Sequence, residues 1–133
     1  MAADWSSENA TVCSNLGNAY EKRGDLARAV EHYDQAIALR PDYANAFANR
    51  GYARFRQGDY AGAVADCEKA VQLEPGLGMA LVNRGHALAA AGEHRSAAES
   101  YYDALELQLA PEAREEALRG LESLGETLDS AAA

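Results

Sequence analysis

The chain has 133 residues, enough for one domain with a buried core. Its 21 Asp and Glu against 12 Lys and Arg leave a net charge of -9, which argues against a nucleic-acid partner and against binding to an anionic membrane surface. No apolar run approaches the roughly 20 residues that span a bilayer.

Residues 1–9 read as a short lead. With no basic start and no apolar stretch it does not look like a secretory leader, and the cytoplasm is the expected compartment. Ser6 or Ser7 is expected to cap the first helix, with Trp5 stapling onto it. "ATVCSNLGNAYEKR" then places apolar residues at helical spacing until Gly24-Asp25 breaks the pattern. "LARAVEHYDQAIAL" resumes the period. Arg40-Pro41 ends it, because the residue before a proline avoids the helical region.

The same two-helix pattern is written three times, as 10–43, 44–77 and 78–111. Gly17, Gly51 and Gly85 share the eighth position, Ala29, Ala63 and Ala97 the twentieth, and Ala36, Ala70 and Ala104 the twenty-seventh. Between them recur larger groups: Cys13, Phe47 and Leu81; Tyr33, Cys67 and Tyr101; Leu39, Leu73 and Leu107. Small residues let two helix axes approach, and large neighbours fill the adjacent holes. A single helical pair cannot bury its own apolar face, so each must stack on the next. Residues 112–129 carry Leu118, Leu121, Leu124 and Leu128 at helical spacing and read as a capping helix. Gly120 and Gly125 are each expected to weaken it by about 1 kcal/mol. Residues 130–133 are expected to be a disordered tail.

Leu16, Gly17, Tyr20, Ala29, Tyr33, Ala36 and Pro41, with their counterparts in the next two units, resemble the tetratricopeptide-repeat signature. The resemblance implies an all-α, right-handed superhelix, an α-solenoid of three helix-turn-helix units plus a cap. It further implies a protein–protein interaction scaffold rather than an enzyme. Departures are Cys13 where the family often has Trp, Arg50 and Arg84 at position seven, Arg54 at eleven and Leu109 at thirty-two. In this family the first helices line a concave groove. The residues so implied as peptide-binding are Asn15, Asn18, Asn49, Tyr52, Phe55, Arg56, Met79, Val82, Asn83 and His86.

Asn15, Asn49 and Asn83 recur at position six. A carboxamide offers both donor and acceptor, so it can pair with a peptide backbone. Packed helices lie roughly 8–10 Å apart and an extended chain advances about 3.3 Å per residue, so one asparagine would meet a guest every third residue. Similar asparagine rows hold substrate peptides in the repeats of the O-linked N-acetylglucosamine transferase. A carboxylate-clamp subgroup instead grips acidic chaperone tails. At its clamp positions this chain keeps Asn18 and Asn49 but has Ser14, Met79 and Asn83 in place of cations. Self-assembly through exposed repeat ends is the structural alternative. The three histidines and two cysteines have neither zinc-ligand nor redox spacing, so no metal, cofactor or catalytic site is expected, and the cysteines read as reduced thiols.

Overall fold

The computed structural model describes the backbone of residues 2–132 and the side chains of residues 8–125. Among the described residues there are seven α-helices and no strand. They are α1 (Ala2–Lys22), α2 (Leu26–Leu39), α3 (Ala44–Arg56), α4 (Tyr60–Leu73), α5 (Gly78–Ala90), α6 (His94–Leu105) and α7 (Pro111–Ala132). Helices pair as α1/α2, α3/α4 and α5/α6, each pair stacks on the next, and α7 closes the array against α5 and α6. The result is an α-solenoid.

The turn inside each pair is set by glycine. Gly24, Gly58 and Gly92 have φ of 83°, 86° and 86°, the left-handed region that ends a helix without a β-carbon penalty. The next residue starts the second helix. Asp25 accepts from the Arg28 N–H at 3.2 Å, and Asp59 accepts from the Gly62 N–H at 3.0 Å.

Three boundaries differ from those read in the sequence: the start of α1, the end of α6, and the end of α7, which continues into the expected disordered tail. Helix α1 begins at Ala2, so Ser6 and Ser7 lie within it rather than ahead of it. The side chains of Trp5 and Leu128 lie outside the described residues. Helix α6 stops at Leu105, so Leu107 is not helical as Leu39 and Leu73 are. Leu107 and Leu109 fold back onto the core, and Leu109 meets Gly78. Helix α7 starts on Pro111, whose missing N–H is harmless at a first helical position, and runs to Ala132.

The small residues sit where helices touch. A β-carbon at Gly17 would lie 2.5 Å from the Tyr33 ring, one at Gly85 2.6 Å from the Tyr101 ring, and one at Gly51 2.8 Å from Cys67 Sγ. Gly120 also faces the Tyr101 ring, so it is a seat for the cap and not merely a weak point in it. Cys67 is fully buried, and that burial pushes its thiol up to about 12, leaving it unreactive. Alanine favours a helix interior over glycine by about 1 kcal/mol. At Gly85 the clash with a locked ring reverses that sign, and Gly85→Ala is expected to cost about 1–3 kcal/mol net. Gly125 meets nothing within 4 Å, so Gly125→Ala is expected to be neutral or slightly stabilising. Thermal denaturation of the two variants checks the opposite signs.

The arginines that depart from the repeat signature have partners on the second helix. Arg50 donates from Nε and Nη2 to both oxygens of Asp66, at 2.9 and 2.7 Å, and from Nη1 to Asp34 at 2.8 Å. Arg54 donates to Asp66 Oδ2 at 2.9 Å. In the third unit Arg84 donates to the Ser100 hydroxyl at 2.9 Å, and in the first Tyr20 stacks on His32 with centroids 5.2 Å apart. Position twenty-three thus meets a first-helix side chain in each unit, at position eleven in the first, at seven and eleven in the second and at seven in the third, with different chemistry each time.

Candidate functional site

The first helices α1, α3 and α5 stand side by side, with α3 packed on α5 and α1 meeting α3 only marginally. Between them opens a cavity of about 410 Å³. Helix α3 contributes Asn45, Asn49 and Tyr52 to its wall, and α5 contributes Met79 and Asn83. Glu21 from α1 and Glu116 from the capping helix complete its charged rim.

The cavity brings together Asn49, Tyr52, Met79 and Asn83 from the residues marked in the sequence. Met79 remains 41 % exposed, a large apolar group facing solvent. Phe55 is half-buried behind the wall, with ring centroids 6.1 Å from Tyr52, 6.1 Å from Tyr60 and 5.9 Å from His86. His86 places Nδ1 2.7 Å from the Tyr101 hydroxyl and Nε2 3.4 Å from Glu116 Oε2.

Other residues are placed differently from the expectation. Val82 is fully buried in the core and offers no surface to a guest. Its position on the first helix points between helices, where an apolar side chain is drawn out of water. Asn18 accepts from the Tyr33 hydroxyl at 2.7 Å, an interaction within its own helix pair. Arg56 donates to Glu21 Oε1 at 2.6 Å and to the Glu21 carbonyl at 3.0 Å, tying α3 to α1. Asn15 is exposed on α1 and does not line the cavity. The three position-six amides are therefore not equivalent: Asn15 is exposed, Asn49 half-buried, and Asn83 only 4 % exposed.

Asn83 is poorly satisfied. Its Nδ2 donates to the Ala48 carbonyl at a long 3.5 Å, and its Oδ1 is buried without a hydrogen-bond partner. The orientation of the amide follows from the contact, since an oxygen turned toward Ala48 O would set acceptor against acceptor. A buried polar atom left unpaired costs about 1–3 kcal/mol.

Asn45 and Glu21 occupy groove positions legible from the repeat register. Glu116 carried no such signal, because only the packing angle of the cap brings it to the rim. Among the described residues no group of three or more His, Cys, Asp or Glu is placed to hold a metal ion, and no helix is long and apolar enough to cross a membrane.

The chain matches the TPR repeat family over residues 17–58 and the tetratricopeptide repeat family over residues 44–77. No curated protein matches it. Among solved structures it resembles the first TPR of Spaghetti (RPAP3) bound to the HSP90 peptide SRMEEVD, at 31 % identity and a TM-score of 0.80, covering 90 % of this chain and 98 % of that one. It also resembles the first TPR domain of human RPAP3, at 30 % identity and a TM-score of 0.82, covering 93 % and 98 %. The TPR2B domain of yeast Sti1, in complex with pHsp70, is 26 % identical with a TM-score of 0.84, covering 91 % and 99 %. Repeat register, helix pairing and these likenesses agree, and the chain belongs to the tetratricopeptide-repeat family, as three repeats closed by a capping helix.

Proposed function

We propose that this chain is a cytoplasmic protein-interaction module that holds an extended segment of a partner protein in its concave groove, without catalysis. The carrying observation is Asn83: a nearly buried amide on the cavity wall, with an unpaired oxygen and a stretched hydrogen bond. A small turn of that amide lets it meet the main chain of a guest. Asn45 and Asn49 stand beside it to do the same, while Asn15 lies exposed on α1 outside the cavity. Tyr52 and Met79 supply the apolar contact area. Three neutral amides contribute only a few kcal/mol in all, so these anchors must supply the remainder. The peptide complexes among similar structures support this reading of the groove.

The clamp version of this function fits poorly. Among the described residues no Lys or Arg lines the cavity, and a desolvated terminal carboxylate needs compensating charge. Ser14, at one clamp position, is only 2 % exposed. End-to-end self-association keeps one observation in its favour. Val12 and Leu16 are 54 % and 43 % exposed on α1, and Leu118 is 46 % exposed on α7. Sedimentation velocity over a range of concentrations separates a monomer from such stacking.

The test is selection of display peptides on the wild type beside Asn45→Ala/Asn49→Ala/Asn83→Ala. Loss of three amides is expected to weaken selected peptides by roughly tenfold or more, at about 0.5–1.5 kcal/mol each. Asn83→Ala alone is expected to leave the melting temperature unchanged or raised, because it removes an unsatisfied group. Equal affinity of the triple variant for the same peptides removes the amide grip from the proposal.

A further inference from the structure

We infer that the groove selects guests that place a basic side chain, Lys or Arg, in the cavity between α1, α3, α5 and α7; the inference rests on the peptide-binding reading above. Among the described residues, the acidic and basic side chains on the cavity wall are both carboxylates, Glu21 and Glu116. The neighbouring cation, Arg56, does not line the cavity and is held by Glu21 Oε1 and the Glu21 carbonyl.

The second observation is independent of that charge. Asn83 is nine-tenths buried on the same wall, and the atom it leaves unpaired is an acceptor, Oδ1. Its donor face is directed at Ala48 O. The unmet group on this wall is therefore an acceptor, beside the carboxamides of Asn45 and Asn49, which offer both donor and acceptor. A lysine ammonium carries three N–H donors and an arginine guanidinium five, and neither accepts. A guest carboxylate would add a third negative charge beside Glu21 and Glu116.

Tyr52 adds a third element, an aromatic face beside the carboxylates that attracts a cation through its ring quadrupole. The cavity, about 410 Å³, lies within the size range of small-ligand pockets and admits a long side chain. The net charge of -9 draws a basic segment toward the surface before it docks. The SRMEEVD peptide bound by the Spaghetti domain has the opposite character, with two Glu and one Asp in its last four residues. Family membership and ligand chemistry thus separate in this chain.

Fluorescence anisotropy of three labelled nonapeptide sets tests the inference, the sets sharing flanking composition and differing at the central residue, Lys, Ala or Glu. The expected order of affinity is Lys, then Ala, then Glu, with the Lys set weakening as salt rises. Glu116→Gln is expected to weaken the Lys set about fivefold and the Ala set by less, so that the Lys-over-Ala preference narrows. Arg56→Gln uncovers the Glu21 carboxylate and is expected to strengthen the Lys set, a gain that a damaged fold does not produce. Equal binding of all three sets, or a preference for Glu, overturns the basic-guest inference and leaves the peptide groove standing. Binding of no set overturns both.

Discussion

Tyr101→Ala is expected to cost about 3–5 kcal/mol, the range for removing a buried aromatic ring, against a total stability of about 5–15 kcal/mol. Tyr101 is 2 % exposed, and its ring is the surface on which Gly85 of α5 and Gly120 of α7 both rest. Deleting it opens a cavity and removes the seat of the capping helix in one change. The apolar cluster beneath, including Leu81, Leu88 and Leu124, then gains access to water. Chemical denaturation should show the loss of stability, and sedimentation should show association through the uncovered face. Tyr33→Ala is the comparison, since the Tyr33 ring meets Gly17 in the first unit, away from the cap. It should destabilise without promoting association. If both variants associate equally, Tyr101 is not what seats α7.

The same residue carries a pH signature. Burial first, and the Glu116 carboxylate second, push the Tyr101 phenol up to about 12. An exposed phenol in the unfolded chain titrates near about 10. Between those values the unfolded state has released its proton and the folded state has not, so stability present below pH 10 is lost as pH rises toward 12. Tyr33 is raised in the same direction, by burial and then by Glu21. Circular dichroism through an alkaline titration should show Tyr101→Phe unfolding over this range with a shallower slope than the wild type.

Asp66→Ala is expected to be the most damaging polar change, at about 3–5 kcal/mol, because it strands two arginines built around one carboxylate. Asp66 has a side chain 5 % exposed, against 16 % for Arg50 and 27 % for Arg54. Its two oxygens receive the bidentate fork of Arg50 and one bond from Arg54. Removing the acceptor leaves buried positive charge that Asp34, 52 % exposed and bonded to Arg50 alone, only partly offsets. The thermal midpoint should fall by about 10 °C or more. Transplanting the first unit's set, Arg50→Leu/Arg54→Tyr/Asp66→His, is expected to recover most of that loss, since a buried ion network is often replaceable as a whole. Failure of the triple variant to recover would show that the network also holds the second unit to Asp34 of the first.

The repeat was legible because its demands are local. Gly24, Gly58 and Gly92 adopt the left-handed conformation that their place between two periodic stretches implies. Gly17 and Gly85 sit where two helices approach closely, as their repeated place implies, and the structure sets them against Tyr33 and Tyr101. The groove was legible in part. Asn49, Tyr52, Met79 and Asn83 reach one cavity, whereas Val82 is buried and Asn18 and Arg56 are held by neighbours. A register says which helix a residue sits on. It does not say which nearby group reaches that residue first.

The sequence by itself determined the period, the helix pairing and the turns, because each depends on residues close in the chain or repeated at a constant interval. Only the tertiary structure decided which amides are available and what charge surrounds them. Glu116 meets the cavity because α7 packs across α5, and Arg56 is neutralised because α1 and α3 converge at Glu21. Both depend on the angle between helices far apart in the chain, which is set by the packing of whole faces and has no one-dimensional signal.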